Sequence, residues 1–425
     1  MSRTSFTDFS FKAGLFFLYA SCFFIPLATS FQSISTTAMV IFWLLSGEVK
    51  KFPALMRKYH ILWPPILLLA MFAIAIFYSI GSWEDRLEFF KKYRELAFFP
   101  IVISLLLTAE IKSGNTKAVE TAKLSFLCGS AALMVISYLM YFGLILSERT
   151  GYSTLHHITH SFFMALLSFW ALQYALRPKG KIRPLLRGLL LGVFLLAAGN
   201  LLFISPGRTG MATLVVLMVV TLLQRLRPKQ CAVATVLLAA LCGGIYCTSA
   251  HVSTRVNQAI AEVKKYHPED SRTSLGMRFD WWHNSVTLIK ESPIIGYGTG
   301  SFRAAQLLVK NKWTKRTVNP HNEYLLIFVQ LGIIGEALFL LMLCSLFAFS
   351  CKLPEEEKNL LQGAVVAFAW ACLANSFLFD SHPSNFLMIL SAVLVAARLP
   401  QEGKAEKQLF SPQRMLRNVK EGKNL

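Results

Sequence analysis

The stretch His321–Gly335, H-N-E-Y-L-L-I-F-V-Q-L-G-I-I-G, decides how the chain is read. It opens an apolar segment directly after the only long hydrophilic loop, with a histidine and an asparagine at its start. Gly332 and Gly335 follow deep in the apolar run, where a plain membrane anchor has no use for glycine. The loop before it, residues 250–320, holds 11 Lys/Arg against 5 Asp/Glu. A histidine therefore stands at the mouth of an apolar helix, beside a basic loop.

Apolar runs of this kind recur from end to end of the 425 residues, separated by short charged clusters. The chain is 54% hydrophobic and only 16% charged, with mean hydropathy +0.49, too apolar for a soluble protein of two or three domains. The runs do not alternate at period 2, which excludes a transmembrane barrel. The class expected is an all-α polytopic membrane protein with about twelve transmembrane helices and a large, partly helical periplasmic loop. The spans fall near 13–29, 31–47, 61–80, 96–109, 121–146, 157–176, 185–203, 209–225, 230–249, 321–350, 359–379 and 382–398. Residues 1–249 thus hold nine spans, 250–320 the basic loop, 321–398 three spans and 399–425 a basic tail. The first run lacks a small-x-small cleavage site, so an uncleaved span is expected there.

The net charge of +20 does not point to nucleic acid, because the basic residues lie mainly in short loops and at the tail. Arg177, Lys179, Lys181, Arg183 and Arg187 crowd one such loop, and Arg225, Arg227 and Lys229 another. These clusters fall on one side if the count is twelve, and that side is cytoplasmic by the positive-inside rule, with both termini inside. The 250–320 loop then lies outside, which the rule permits for long loops. A basic outer loop is most simply a surface for an anionic ligand. Within it, 259–266 and 278–290 look helical. The second puts Phe279, Trp282, Val286 and Ile289 on one face, as in a helix at the lipid–water boundary. The turn-rich 292–302 stretch lacks the GK[ST] of a phosphate loop. The eight cysteines form no CxxC and none lies in the basic loop, so neither zinc nor a disulfide framework is indicated.

The candidate residues gather on the outer face. Asn319-Pro320-His321 reads as a helix start, with Asn319 as N-cap and His321 in the first turn, where the dipole disfavours an imidazolium. A neutral histidine suits a general base. Arg208, in S-P-G-R-T-G, shares a helix start with backbone donors; it is either a membrane-edge anchor or part of an anion site. Arg278 opens the amphipathic segment. His156 and His160 stand four apart, a metal-capable spacing, but without HExxH or a suitable carboxylate they read as polar lining of an outward cavity, not a metal site. Asp380 and His382, at an outer junction, either orient a base or close a turn. The two glycines read as places where a neighbouring helix approaches closely.

Four motifs together resemble the O-antigen ligase family, within a wider group that includes O-antigen polymerases and protein O-oligosaccharyltransferases. They are H-N-x9-G-x-x-G at His321, Asn322, Gly332 and Gly335; R-F-D-W-W at 278–282; P-I-I-G-Y-G-T-G-S-F; and S-P-G-R-T-G at 205–210. Position 282 is Trp where the family motif often has Leu. The resemblance implies transfer of an O-antigen from undecaprenyl pyrophosphate to the lipid A–core at the periplasmic face of a Gram-negative inner membrane. It implies an inverting, metal-independent reaction without a cofactor. His321 would be the base and Arg208 and Arg278 the pyrophosphate ligands, with Asn322, His160 and Asp380 as secondary candidates. An O-antigen polymerase, a protein O-oligosaccharyltransferase and a transporter of lipid-linked glycans are the alternatives. A transporter should carry ionisable residues at mid-membrane, and these spans are nearly free of charge.

Overall fold

The computed structural model describes residues 3–146, 151–178, 180–268, 272–309 and 315–399. All of their regular structure is helical. The expected basic tail falls, beyond its first residue, outside the described residues. In chain order come α1 (Arg3–Phe24), α2 (Thr29–Leu45), the short α3 (Phe52–Lys58) and α4 (Trp63–Tyr78). Next, α5 (Trp83–Lys92) runs through a 3-10 turn into α6 (Phe98–Ser113), followed by α7 (Lys117–Tyr141) and α8 (His157–Ala175). Then come α9 (Pro184–Phe203), α10 (Arg208–Arg225) and α11 (Pro228–Thr248). The basic loop holds α12 (Ala250–Lys264), α13 (Ser274–Glu291) and the one-turn α14 (Phe302–Ala305). The chain continues through α15 (Glu323–Ser350), α16 (Glu355–Cys372), α17 (Ser381–Asn385), a π turn and α18 (Ser391–Ala396).

Among the described residues, seven stretches are long and apolar enough to cross a membrane, where twelve were expected: His60–Tyr78, Trp83–Ser113, Lys117–Tyr141, Pro184–Phe203, Arg208–Arg225, Pro228–Thr248 and Glu323–Ser350. The other five expected spans are helical but shorter or more polar, Thr29–Leu45 and Ser381–Ala396 among them. One reason is position. Helix α8 is buried over nearly its whole length, so its Ser161, Ser168 and Gln173 face protein and the helix need not be uniformly apolar. It packs against α9 and α10, while α18, buried throughout, packs on α6 and α16. By contrast α11 buries only Cys231 although it touches α10 and α12, and a helix apolar all round with so little of it buried in protein belongs against lipid. Residues 81–95, between two of the expected spans, are mostly helix α5, capped where Ser82 Oγ accepts the Asp85 amide at 3.1 Å, with Glu84 and Asp85 in the first turn.

Away from His321, a buried ion network fastens α7 to α16. Lys123 is 1% exposed and its Nζ meets Glu120, Glu357 and Glu356 at 2.7, 2.7 and 3.0 Å. A buried ammonium is tolerable only with such compensation, so this contact fixes the register of the two helices.

The feature that shapes the other end is a break in α15. Gly332 takes φ 64° and ψ −162°, which interrupts the helix inside its apolar length. The freed backbone groups find partners in the 292–302 stretch. Tyr297 N donates to Val329 O at 2.9 Å, Gly298 N to Gln330 O at 2.8 Å, and Ile333 N to Pro293 O at 2.8 Å. The same stretch is tied to the end of α4, where Thr299 Oγ1 donates to Phe72 O at 2.6 Å and Ile80 N to Tyr297 O at 3.1 Å. A broken helix at membrane depth survives only when buried in protein that satisfies its backbone. Here the neighbour at Gly332 is this turn-rich stretch, not the helix expected from sequence. A methyl on Gly332 would sit 2.2 Å from the Ile294 carbonyl, and one on Gly335 would meet Leu331 of its own helix at 2.1 Å. Gly332→Ala therefore combines a positive φ with a backbone clash and is expected to destabilise by about 2 kcal/mol or more. Thermal unfolding of the detergent-solubilised variant should show a lowered Tm. An unchanged Tm would mean that the break is not fixed by this residue.

Candidate active site

Asn322, not Asn319, caps α15: its φ of −155° is extended, and its Oδ1 accepts the Leu325 amide at 3.1 Å. Its Nδ2 donates to Leu373 O at 3.1 Å, holding the helix start to the end of α16. Asn319 has another task, since its Oδ1 accepts the His321 amide at 2.9 Å in an Asx turn. His321 thus precedes the cap and adopts φ 51°, the one non-glycine residue with positive φ among the described residues. Such a backbone is uncommon and persists only when its surroundings hold it.

Those surroundings are specific. His321 Nδ1 lies 2.8 Å from Asn375 Oδ1, and Asn375 Nδ2 donates to Asp380 Oδ2 at 2.9 Å. An ionised carboxylate only accepts, so it turns the amide's NH2 toward itself and its oxygen toward the imidazole. Nδ1 then carries the proton and Nε2 keeps a lone pair, the tautomer a base at Nε2 requires. Burial pushes the Asp380 pKa up to about 6, against the lowering effects of Lys92 and Asn375, so the carboxylate stays mostly ionised at pH 7. For His321, burial is the largest influence and lowers the pKa below the usual 6.5; Asn375 opposes it, and Arg278 and His156 reinforce it. Burial and neighbouring cations, more than a place in the first helical turn, keep this ring neutral.

Both tryptophans of α13 act on the same segment. Trp281 lies against the His321 ring, centroids 5.4 Å apart and tilted 34°, and its Nε1 donates to Lys315 O at 2.6 Å. Trp282 Nε1 donates to Pro320 O at 2.9 Å. The buried face of α13 is Gly276, Asp280, Trp281, Asn284, Ser285 and Leu288, while the Phe279–Trp282–Val286–Ile289 face is less buried, with Val286 43% exposed. Hydrogen bonds, including Tyr266 Oη to Asp280 Oδ1 at 2.7 Å, decide which side faces in.

Arg208 is the first residue of α10. Its Nη2 pairs with Glu262 Oε1 at 2.9 Å, while its Nη1 is buried without a partner among the described residues. The other Glu262 oxygen accepts the Leu275 amide at 3.0 Å, at the start of α13. Arg278, one helical turn further along, is half-buried. Burial lowers its pKa first and Arg208 second, with Glu262 opposing, and Arg278 in turn lowers His156 and His321. The two arginines, Glu262 and the two imidazoles therefore share one electrostatic field.

His160 does not belong to that group. It is fully buried, with Nδ1 2.8 Å from Ser153 Oγ and Nε2 2.9 Å from Asn200 Oδ1. Both nitrogens are engaged, Nδ1 with the segment before α8 and Nε2 with α9, so it neither lines an outward cavity nor offers a ligand atom. His382 is likewise committed, to Thr29 Oγ1 at 2.8 Å and the Ile25 carbonyl at 2.6 Å. Asn375 and Glu262 are the functional candidates that sequence reading missed. An asparagine at a helix end and one acid in a basic loop carry no motif.

Residues 191–340, which include Arg208, Arg278 and His321, match the family model described as O-antigen ligase. Over this segment the chain is similar to the O-antigen ligase family. It is 24% identical over 341 residues to the O-antigen ligase of Salmonella typhimurium, covering 76% of this chain and 79% of that one. It is 37% identical over 155 residues to an uncharacterized protein of Haemophilus influenzae, 34% of this chain and 39% of the relative. A Rickettsia conorii protein provisionally named a polysaccharide ligase is 29% identical over 140 residues, 30% of this chain and 32% of its own. The match to these last two relatives thus spans less than two fifths of their length. Asn375 and Asp380 lie beyond the family segment, so the group that orients the histidine comes from a later helix junction.

Histidine-selective 15N NMR of the full chain should find His321 protonated on Nδ1 and titrating below 6.5. Arg278→Gln, which removes a cation, should raise that pKa, and Asn375→Leu should mix the tautomers. A ring already mixed in the native protein would refute the orienting role of Asn375.

Proposed function

We propose that the chain is a glycosyltransferase of lipopolysaccharide biosynthesis that moves O-antigen from undecaprenyl pyrophosphate to the lipid A–core. One observation carries the reading: a neutral histidine with an oriented Nε2 lone pair shares a field with two arginines, one with a buried, unpartnered guanidinium nitrogen. A lone base serves many reactions, and cationic pairs bind many anions. Together they fit an acceptor hydroxyl that must lose a proton while a phosphorylated group departs.

An apolar groove supports the donor's chemistry. It measures about 640 Å³ and is walled by α9, α10, α11 and α12, with Leu195, Val215, Leu241 and Ile260 among its lining. Arg208 and Arg255 are the charged residues on its wall. A polyprenyl chain lying there would carry its pyrophosphate to the arginines.

In the proposed step, His321 Nε2 takes the acceptor hydroxyl proton as that oxygen attacks the anomeric carbon of the donor sugar. The carbon–oxygen bond to the pyrophosphate breaks, and its electron pair leaves with the phosphate. Arg208 and Arg278 neutralise the charge that develops, with Arg208 held ready by Glu262. Pyrophosphate is a good leaving group once its charge is stabilised, so the departing oxygen needs no acid. Attack from the face opposite the leaving group inverts the anomeric centre. This chemistry belongs at the periplasmic face of a Gram-negative inner membrane, with both termini cytoplasmic, as the short basic loops indicate.

His321→Ala is expected to lower transfer by about 100-fold or more, the usual contribution of a general base. The base is functional when neutral, and burial holds its pKa low. Activity should therefore persist to pH values below 6.5 and fall only as pH drops through the depressed pKa, with the acid limb moving to higher pH in Arg278→Gln. In a deletion strain the lipopolysaccharide should lose all O-antigen while the lipid-linked donor accumulates. Core bearing a single repeat unit would instead identify a polymerase, and full activity of His321→Ala would refute the base.

A further inference from the structure

A second cavity, of about 370 Å³, with charged and hydroxyl side chains set among apolar ones such as Leu307, opens between the start of α5, the turn α14 and the segment before His321. Ser82, Asp85, Arg303, Arg316, Thr317 and Val318 line it. None of these elements carries Arg208, Arg255 or Arg278. Arg303 Nη1 pairs with Asp85 Oδ1 at 3.1 Å, so these two charges cancel. Arg316 has no hydrogen-bond or ion partner among the described residues and is left as the net charge of the cavity.

The cavity wall is joined to the candidate base by a short, hydrogen-bonded path. Gln306 Nε2 donates to Thr317 O at 2.6 Å, Thr317 Oγ1 to Asn319 O at 3.0 Å, and the His321 amide to Asn319 Oδ1 at 2.9 Å. On the same segment Trp281 holds the Lys315 carbonyl and lies against the His321 ring. Residues 315–321 thus present Arg316 and Thr317 to the cavity and His321 to the base position.

An inverting displacement cannot bring both substrates in from one side. The nucleophile must approach opposite the leaving group, so the acceptor needs a site built on elements other than those that hold the pyrophosphate. Hydroxyl and carboxyl groups with one uncompensated arginine suit a sugar that carries an anion. We propose that this cavity is the acceptor subsite and binds a phosphorylated glycan. Arg316 holds the phosphate, and Ser82, Asp85 and Thr317 face sugar hydroxyls. This inference rests on the glycosyl-transfer reading above.

The test uses the full chain in lipid nanodiscs without donor, measuring binding of lipid A–core with its sugar phosphates intact or chemically removed. The intact acceptor should bind about tenfold or more tightly, in keeping with a charge-assisted hydrogen bond. Arg316→Gln should erase that difference, and Arg278→Gln should leave it unchanged. Arg316 is exposed, so the substitution leaves packing intact. Equal binding of both acceptors, or undiminished phosphate preference in Arg316→Gln, would overturn the proposal. Displacement by millimolar inorganic phosphate would overturn it too, by marking a bare anion site. With donor added, Arg316→Gln should raise the acceptor KM about tenfold, with kcat and the donor KM unchanged. Phosphate-dependent binding without any transfer would instead reject the transferase reading and leave the subsite standing. Transfer with no phosphate dependence would do the reverse.

Discussion

Backbone amides and carbonyls inside an apolar span must find partners within the protein, and this constraint organises the site end of the molecule. Opening α15 at Gly332 frees Val329 O, Gln330 O and Ile333 N, and the 292–302 backbone takes up all three. That stretch is anchored on α4 as well, so α4, α15 and the end of the basic loop become one unit. Helix α13 leads directly into the stitched segment and so is held over His321 from one end. Its tryptophans then fix the Lys315 and Pro320 carbonyls. Without the stitch, a loop rich in like charges would have little reason to stay against the helix mouth.

The other end of α13 is fixed by charge. Glu262 grips Arg208 with one oxygen and the Leu275 amide with the other, joining the starts of α10 and α13 through one side chain. A partly buried arginine needs a counter-charge, and a helix start needs acceptors; a single carboxylate meets both needs. It also orients the guanidinium while leaving Nη1 unused. Charge fixed in advance of an anion's arrival is the arrangement that stabilises a leaving group with the least reorganisation.

What was legible in the sequence was what composition and spacing control. Apolar runs mark α4, α7, α9, α10, α11 and α15 because a membrane helix announces itself by length. Arg208, Arg278 and His321 stood out because charged and titratable groups are rare beside such runs. What escaped depends on which residues meet across the fold. Asn375 acquires meaning only because Asp380 and His321 lie on either side of it. His160 had the spacing of a ligand, yet burial and two neutral partners make it a brace. The periodicity of α13 gave its apolar face but could not show which residues turn inward, because hydrogen bonds from Trp281 and Tyr266 set that side.

The asparagine between Asp380 and His321 resolves two competing demands on one imidazole. A base needs a fixed tautomer, and a carboxylate bonded directly to Nδ1 would supply it. That carboxylate would also stabilise the imidazolium and raise the pKa, leaving less neutral ring at a given pH. In the proposed reaction a pyrophosphate arrives beside the ring and itself favours the charged form, so the added pull would count. Asn375 transmits direction without transmitting charge: Asp380 orients the amide, and the amide oxygen orients the imidazole. Arg278 and burial then act on the ring unopposed by a contacting carboxylate, and both push toward the neutral form. The charged orienting group is thus kept one residue away from the imidazole, which is where the proposed reaction, with its anionic leaving group, would need it.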